Sequence, residues 1–227
     1  MPNHKAELEW RSGGVPVSTR FDDPYFSLEN GLEETRHVFL GGNALPARFR
    51  DGFRIAELGF GTGLNVLTTL LAWQAHGAPG RLHITSFEGF PMSAAEMAQA
   101  LGAFPELEAA SRPLLAAWGA GARSVDLGSG VTLEVVIGDA RATLPHWPGR
   151  ADAWFLDGFS PAKNPELWTP DLMGDVGAHT APDGTAATYS AAGFVRRALA
   201  EAGFTVTRAP GYGRKRHMTT ARMEATA

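Results

Sequence analysis

The chain predicts an α/β fold of the Rossmann-like, doubly wound kind, with a mostly parallel sheet of seven strands that ends in an antiparallel hairpin. Three observations carry this expectation. Short apolar runs alternate with segments of helical periodicity along most of the 227 residues. The first run of the main sheet passes into a helix through a glycine loop, Gly59-Phe60-Gly61-Thr62-Gly63. The runs that follow it end in acids, namely Glu88, Asp139 and Asp157.

Strands are expected near 54–58, 82–88, 132–137, 153–157, 185–190, 205–208 and 218–223. Helices are expected at 64–76, 94–103, 107–117, 170–179 and 191–202. The last helix carries an apolar stripe of Phe194, Val195, Ala198, Leu199 and Ala202, and Gly203 stands where a left-handed residue ends a helix. The two final strands read as antiparallel neighbours joined through Gly211-Tyr212-Gly213. Residues 1–50 read as a small N-terminal extension before a main domain at 51–227. Within it, Trp10 to Val17 has the form of a hairpin, and Asn30 followed by Glu33 has the form of a reciprocal helix cap that starts a helix through about Leu40. The aromatic, acidic stretch Phe21 to Ser27 between them is suited to cover a site.

Apolar residues make up 44% of the chain, enough for a full core, and cysteine is absent, which excludes disulfides, thiolate metal sites and cysteine nucleophiles. The seven histidines form no metal-binding spacing, so no metal is expected. Leu58 to Ala75 lacks charge, but its glycines, Asn65, Thr68, Thr69 and Gln74 mark a buried loop and helix rather than a membrane span. Met1 to Lys5 lead into no apolar stretch, so a cytoplasmic protein is expected. Net charge is −4, yet Arg196 to Arg222 holds seven basic residues against one acid, Glu201. Such a stretch is either a solvated face or a phosphate-binding patch.

The ligand of the glycine loop follows from its spacing. A dinucleotide fingerprint reads G-x-G-x-x-G and receives a pyrophosphate, whereas this loop reads G-x-G-x-G. Glu57, two residues before Gly59, repels a phosphate and suits an ammonium group. S-adenosyl-L-methionine fits, because it carries an amine and a carboxylate but no phosphate; an NAD-dependent dehydrogenase is disfavoured on the same grounds. In open α/β sheets ligands lie across the carboxyl ends of the strands. The candidate cofactor residues are therefore Glu57, Gly59, Phe60, Gly61, Gly63 and Asn65 from the first strand and loop. Glu88, Gly89 and Phe90 follow from the second strand, with Glu88 suited to the ribose hydroxyls. Gly138, Asp139 and Ala140 follow from the third, with Asp139 suited to the adenine amine, and Asp157 from the fourth. Any one of these acids has an ordinary alternative as a helix N-cap.

The segment Asp157-Gly158-Phe159-Ser160-Pro161-Ala162-Lys163-Asn164-Pro165-Glu166-Leu167-Trp168 makes the resemblance specific. With Phe21-Asp22-Asp23, Tyr25-Phe26-Ser27, Asn30 to Arg36, Val38 to Asn43, Gly59 to Asn65, Ser190 to Arg197 and Gly213 to Arg216, it resembles the methyltransferase domain of the MnmC family. The matches run from Phe21 to about Arg216. The resemblance implies methylation of a tRNA wobble base, converting 5-aminomethyl-2-thiouridine to its 5-methylaminomethyl form with S-adenosyl-L-methionine as donor. Bifunctional members add a flavin-dependent oxidase; the standalone form is expected here, without FAD.

The acceptor is an alkylamine with a pKa of roughly 10 in water, mostly protonated and unreactive. Asp157 is the candidate to orient its lone pair or take its proton, although a carboxylate near pKa 4 is a poor base unless burial raises it. Tyr25, Phe26, Phe159 and Trp168 are candidates to stack on the base, or else core residues. Arg196, Arg197, Arg214, Lys215 and Arg216 are the candidates for tRNA phosphates, and Lys163 falls within the matched segment. A methyltransferase acting on a small-molecule amine and a non-catalytic binding module on the same fold are the alternatives.

Overall fold

The computed structural model describes residues 5–27 and 30–224. Strands β1 (Leu8–Arg11), β2 (Val15–Ser18) and β3 (Asp23–Pro24) form a small antiparallel sheet in that order, its first turn made by Gly13 and Gly14 at positive φ. Helix α1 (Gly31–Thr35) follows and widens into a π-helical turn at Arg36–Leu40. The side chain of Asn30 accepts from the Glu33 backbone N–H at 3.1 Å, as expected of a cap. The reciprocal bond is absent, because Arg36 draws the Glu33 carboxylate away from the cap. A full capping box stands instead at Ser93 and Glu96.

The main sheet comprises β4 (Phe53–Leu58), β5 (Leu82–Glu88), β6 (Ser124–Gly128), β7 (Val131–Ile137), β8 (Ala151–Leu156), β9 (Thr180–Thr188), β10 (Phe204–Pro210) and β11 (His217–Met223). Its order is β10-β11-β9-β8-β4-β5-β7-β6, with β9, β8, β4, β5 and β7 mutually parallel and β11 antiparallel between β9 and β10. The sheet thus has eight strands rather than seven. The extra one, β6, is an antiparallel edge strand of five residues in which only Val125 and Leu127 are buried. Two apolar positions make too short an alternation to stand out from a loop. The helices α2 (Leu64–Ala75), α3 (Ala94–Leu101), α4 (Glu108–Gly119), α5 (Ala140–Thr143), α6 (Pro170–Ala178) and α7 (Gly193–Glu201) link the strands. No helix among the described residues is long and apolar enough to cross a membrane.

Alternation along the central strands divides the core between the two faces. Phe53 and Ile55 of β4 and Phe155 of β8 point into one cluster with Trp73 of α2 and Leu114 of α4. Ala56, Leu58, Trp154 and Leu156 point into the other, with Leu172 of α6 and Val195 of α7. The segment after α1 belongs to the first cluster: Phe39 and Phe49 are buried there, their ring centroids 5.5 Å from Phe155 and 5.1 Å from Trp73 respectively.

Polar contacts fix that segment to the sheet. Gly42 lies so close that a Cβ would stand 2.7 Å from the Cβ of Ala187. Asn43, fully buried, donates to the carbonyls of Phe39 and Trp154 and accepts from the Thr185 hydroxyl. Arg48 spans the same junction, donating to the Asn43 and Asp152 carbonyls and the Thr185 hydroxyl. We therefore predict that Asn43→Leu, which removes the side-chain donor to the Trp154 carbonyl and the acceptor of the Thr185 O–H, lowers stability by about 1–3 kcal/mol. A urea midpoint lowered at unchanged slope is the expected reading.

Candidate active site

The order of the sheet reverses between β4 and β8, so the chain leaves their carboxyl ends in opposite directions and opens a crevice there. A cavity of about 860 Å³ fills it. The glycine loop forms its floor. Gly59 has φ +92°, and a Cβ on it would stand 2.1 Å from the Asp157 carbonyl oxygen, so no side chain fits between the two strand ends. Gly61, at φ +54°, faces the ring of Tyr25, where a Cβ would stand 3.2 Å from Cδ1. Gly63 starts α2 and packs against Leu114 beneath the loop, outside the cavity lining.

Behind this floor lies a polar cluster centred on Asn65. Its amide donates to Glu57 Oε1 at 2.8 Å and to Asp157 Oδ2 at 2.6 Å, and its oxygen accepts from the Thr35 hydroxyl at 2.8 Å. Ser86 donates to the second Glu57 oxygen at 2.6 Å. Glu57 is 1% exposed and is not among the cavity-lining residues; this places it beneath the loop, already hydrogen-bonded, rather than in direct reach of a ligand ammonium. Burial pushes its carboxyl up to about 8. Asp157 lines the cavity, and desolvation raises it to about 7 against the opposing hydrogen bond from Asn65. Glu88 is raised by burial too, although its oxygens accept from the backbone N–H groups of Gly61 and Phe90 at 2.9 and 2.6 Å.

The remaining sequence-derived residues divide between lining and support. Phe60, Gly89, Phe90, Asp139 and Ala140 line the cavity, whereas Gly138 sits behind it at φ +141°. Asp139 also caps α5, accepting from the Arg141 N–H, and its carboxylate is paired with the Arg141 guanidinium, which holds it below the usual carboxylate range. Phe159 and Tyr25 line the cavity, joined edge to face at 4.9 Å. Phe21 stacks on Phe159 at 4.8 Å and meets Phe90 at 5.7 Å, which roofs the cavity between the ends of β5 and β8.

Other candidates are packed against the site or stand at its edge. Trp168 is 1% exposed and donates its indole N–H to the Phe159 carbonyl, so it supports the roof from the core and offers no face to a base. Phe26 reaches the lining but is 9% exposed and packed edge-on against Phe104. Lys163 is paired with Asp22 and Asp23, and the Ser160 N–H donates to Asp23 at 2.8 Å, tying the loop after β8 to β3. Arg214 and Lys215 line the mouth, while the exposed Arg216 lies beside it and outside the lining. Arg196 and Arg197 sit on α7, also outside the lining.

The structure adds residues that sequence reasoning passed over. Thr35 holds Asn65, Arg20 lies 4.6 Å over the Phe90 ring, and Glu34 and Tyr189 line the cavity close to Asp157. The signal for Glu34 and Thr35 was present in the motif from Asn30 to Arg36, but nothing in it marks which side chains face inward. Among the described residues no group of three or more His, Asp or Glu is placed to hold a metal ion.

Two expectations follow. Gly59→Ala drives a methyl into the Asp157 carbonyl, so it should abolish ligand binding in the cavity, by calorimetry, and lower the unfolding temperature. The second concerns pH. Glu57 and Asp157 carry folded-state pKa values raised above their ordinary ones of 4.5 and 3.8, so stability is full below those values and falls as pH rises from them, the loss being complete once pH has passed about 8 for Glu57 and about 7 for Asp157. The ligand-free protein should lose stability across that window, and Glu57→Gln should lose less, as read by urea midpoints at several pH values.

Similarity to known proteins agrees with this geometry. A family model described as S-adenosyl-L-methionine-dependent methyltransferase matches residues 105–224. The chain is 46% identical over 95% of its length to the "tRNA 5-methylaminomethyl-2-thiouridine biosynthesis bifunctional protein MnmC" of Aeromonas hydrophila and 47% identical, also over 95%, to that of Caulobacter vibrioides. It spans only 35% and 38% of those two proteins. The crystal structure of MNMC2 from Aquifex aeolicus superposes on the whole chain with a TM-score of 0.72 at 28% identity, the chain covering 73% of it. The resemblance read from the motifs therefore extends across nearly the full sequence. With a family model matched over more than half of its residues and a glycine-floored cavity at the switch point of its sheet, the chain belongs to the S-adenosyl-L-methionine-dependent methyltransferases.

Proposed function

We propose that the protein methylates the primary amine of 5-aminomethyl-2-thiouridine at the wobble position of tRNA, giving the 5-methylaminomethyl nucleoside. The observation that carries this reading is Asp157, a desolvated carboxylate that faces the cavity beside the glycine loop and has a pKa raised to about 7. The names of the MnmC relatives supply the substrate. The first fifty residues act as cover in this reading, since Phe21 and Tyr25 line the cavity from above.

The cavity suits S-adenosyl-L-methionine on two counts. Gly59 and Gly61 hold open a floor that a Cβ would obstruct, and a cluster of desolvated carboxyls favours a ligand of net positive charge. Once bound there, the cofactor supplies an electrophilic methyl group on a sulfonium. Glu88, held by backbone N–H groups of the glycine loop and of the turn after β5, is the residue to accept from ribose hydroxyls. Asp139, on the neighbouring strand end, is the residue for the adenine amine, and Arg141 sets its direction.

Asp157 handles the proton. The amine must shed one proton before its lone pair can attack, and a second leaves the nitrogen after transfer. A carboxylate raised to about 7 is a far better acceptor for either than one near 4, and Asn65 holds one of its oxygens so that the group keeps its orientation. In-line displacement also needs alignment, which the same hydrogen bond provides. Phe159 and Tyr25 offer ring faces to the base, and Arg214, Lys215 and Arg216 extend the mouth toward the phosphates.

The deciding experiment is mass analysis of wobble nucleosides after incubation with S-adenosyl-L-methionine and tRNA carrying the aminomethyl base, in parallel with the free nucleoside. A gain of one methyl on tRNA is expected, and methylation of the nucleoside with equal efficiency would favour a small-molecule amine methyltransferase. Asp157→Asn should lower kcat on tRNA by about 10²–10⁴-fold while cofactor affinity changes little. Near-normal turnover in that variant would remove Asp157 from the chemistry.

A further inference from the structure

The mouth of the cavity holds a cation that belongs to the protein. Lys215 sits in the loop between β10 and β11, and its side chain reaches inward until Nζ lies 2.7 Å from Glu34 Oε1 and 4.1 Å from the centroid of the Tyr189 ring. The Glu34 side chain is only 12% exposed, so its charge needs a partner inside the protein. Tyr189 is held still by its hydroxyl, which donates to the Gly158 carbonyl at 2.7 Å, and it presents a ring face to the ammonium. A carboxylate and an aromatic face converging on one point make a binding site for a primary alkylammonium group. The group now filling it, a lysine amine, has the chemistry of the aminomethyl substituent.

We propose that Glu34 and Tyr189 form the subsite that receives the substrate's ammonium group, and that Lys215 fills this subsite until the substrate displaces it. The inference rests on the function proposed above and adds the amine's point of entry. Glu34, Tyr189, Lys215 and Asp157 line the same cavity, and the charges of Glu34 and Lys215 act on Asp157, so an ammonium taken up here shares that cavity with the proton acceptor. Exchange leaves no charge stranded, because the incoming ammonium replaces the outgoing one on Glu34. It also needs little motion of the backbone: the Lys215 N–H donates to the Tyr212 carbonyl, the Gly211 N–H to the Arg216 carbonyl, and His37 is bonded to the Pro210 carbonyl, so the loop is anchored and the side chain alone must swing. The released Lys215 amine turns outward, into the basic loop that contains Arg216, where a tRNA phosphate can take it. Glu34 and Tyr189 are positioning residues in this scheme, and Lys215 couples tRNA contact to opening of the amine subsite.

The test separates the two roles of Lys215 by using two ligands. The probes are the 5-aminomethyluridine nucleoside, which carries the amine but no phosphate, with uridine as its control, and tRNA bearing the same base. Lys215→Met removes the competing ammonium and should tighten binding of the nucleoside about fivefold by calorimetry, while the KM for tRNA rises through loss of a phosphate contact. Glu34→Gln and Tyr189→Leu should each weaken nucleoside binding, the first by about tenfold or more, with no change toward uridine. Thermal unfolding checks that these variants are folded, and Lys215→Met, whose side chain is half exposed, carries the test alone if the others are not. Nucleoside affinity that falls or stays constant in Lys215→Met, or that is undetectable in wild type and variant alike, overturns the subsite. Absence of methyl transfer to tRNA by the wild type, with the nucleoside trends intact, would instead overturn the proposed function and leave the subsite standing.

Discussion

The Asn65 amide donates both its protons to carboxylates from different strands, Glu57 within β4 and Asp157 at the end of β8, while its oxygen accepts from Thr35 at the end of α1. A primary amide has two donors on one nitrogen, and here both are used on acids that would otherwise repel each other. The position follows from the loop. Gly63 starts α2, so Asn65 falls on the first turn of the helix, directly behind the glycine floor. Without this bridge the end of β8 and the extension would lose their common reference to the loop. The orientation of Asp157, the register of α1 and hence the place of Glu34 all derive from it.

Around that bridge the protein gathers acids where they cost stability. Glu57 and Glu88 are buried, and Asp157 is desolvated although it opens onto the cavity. Such an arrangement persists when it serves a ligand whose charge restores the balance, as the sulfonium of S-adenosyl-L-methionine does. The folding core bears the cost through its two apolar clusters, one on each face of the sheet.

The parts of the site that were legible in the sequence are those set by local geometry. The three glycines have positive φ and carry the close approaches that their spacing implied, and Glu88, Asp139 and Asp157 do stand at the ends of parallel strands around one cavity. Partners were not legible. Glu57 read as a free acid facing a ligand, but Ser86 and Asn65, brought to it by β5 and α2, occupy its oxygens. Trp168 and Lys163 carry the residue types expected of a nucleic-acid contact, and only tertiary packing shows that one is core and the other an internal clasp. Lys215 and Glu34 are separated by 181 residues, a contact that no periodicity or spacing along the chain encodes. Strand β6 escaped notice for a different reason, since an edge strand with one buried face needs only two apolar residues.

The placement of β11 between β9 and β10 has a consequence for how the protein is made. During synthesis β10 leaves the ribosome before β11, its one sheet neighbour among the described residues. The nascent chain can complete the glycine floor and the ends of β4, β5, β7 and β8 well before then. Strand β10 and the basic loop after it must wait for β11 to join the sheet beside β9. A partly made chain therefore acquires its cofactor cradle before the basic loop at the cavity mouth, so cofactor binding can help to fold the nascent protein while that loop is still unformed.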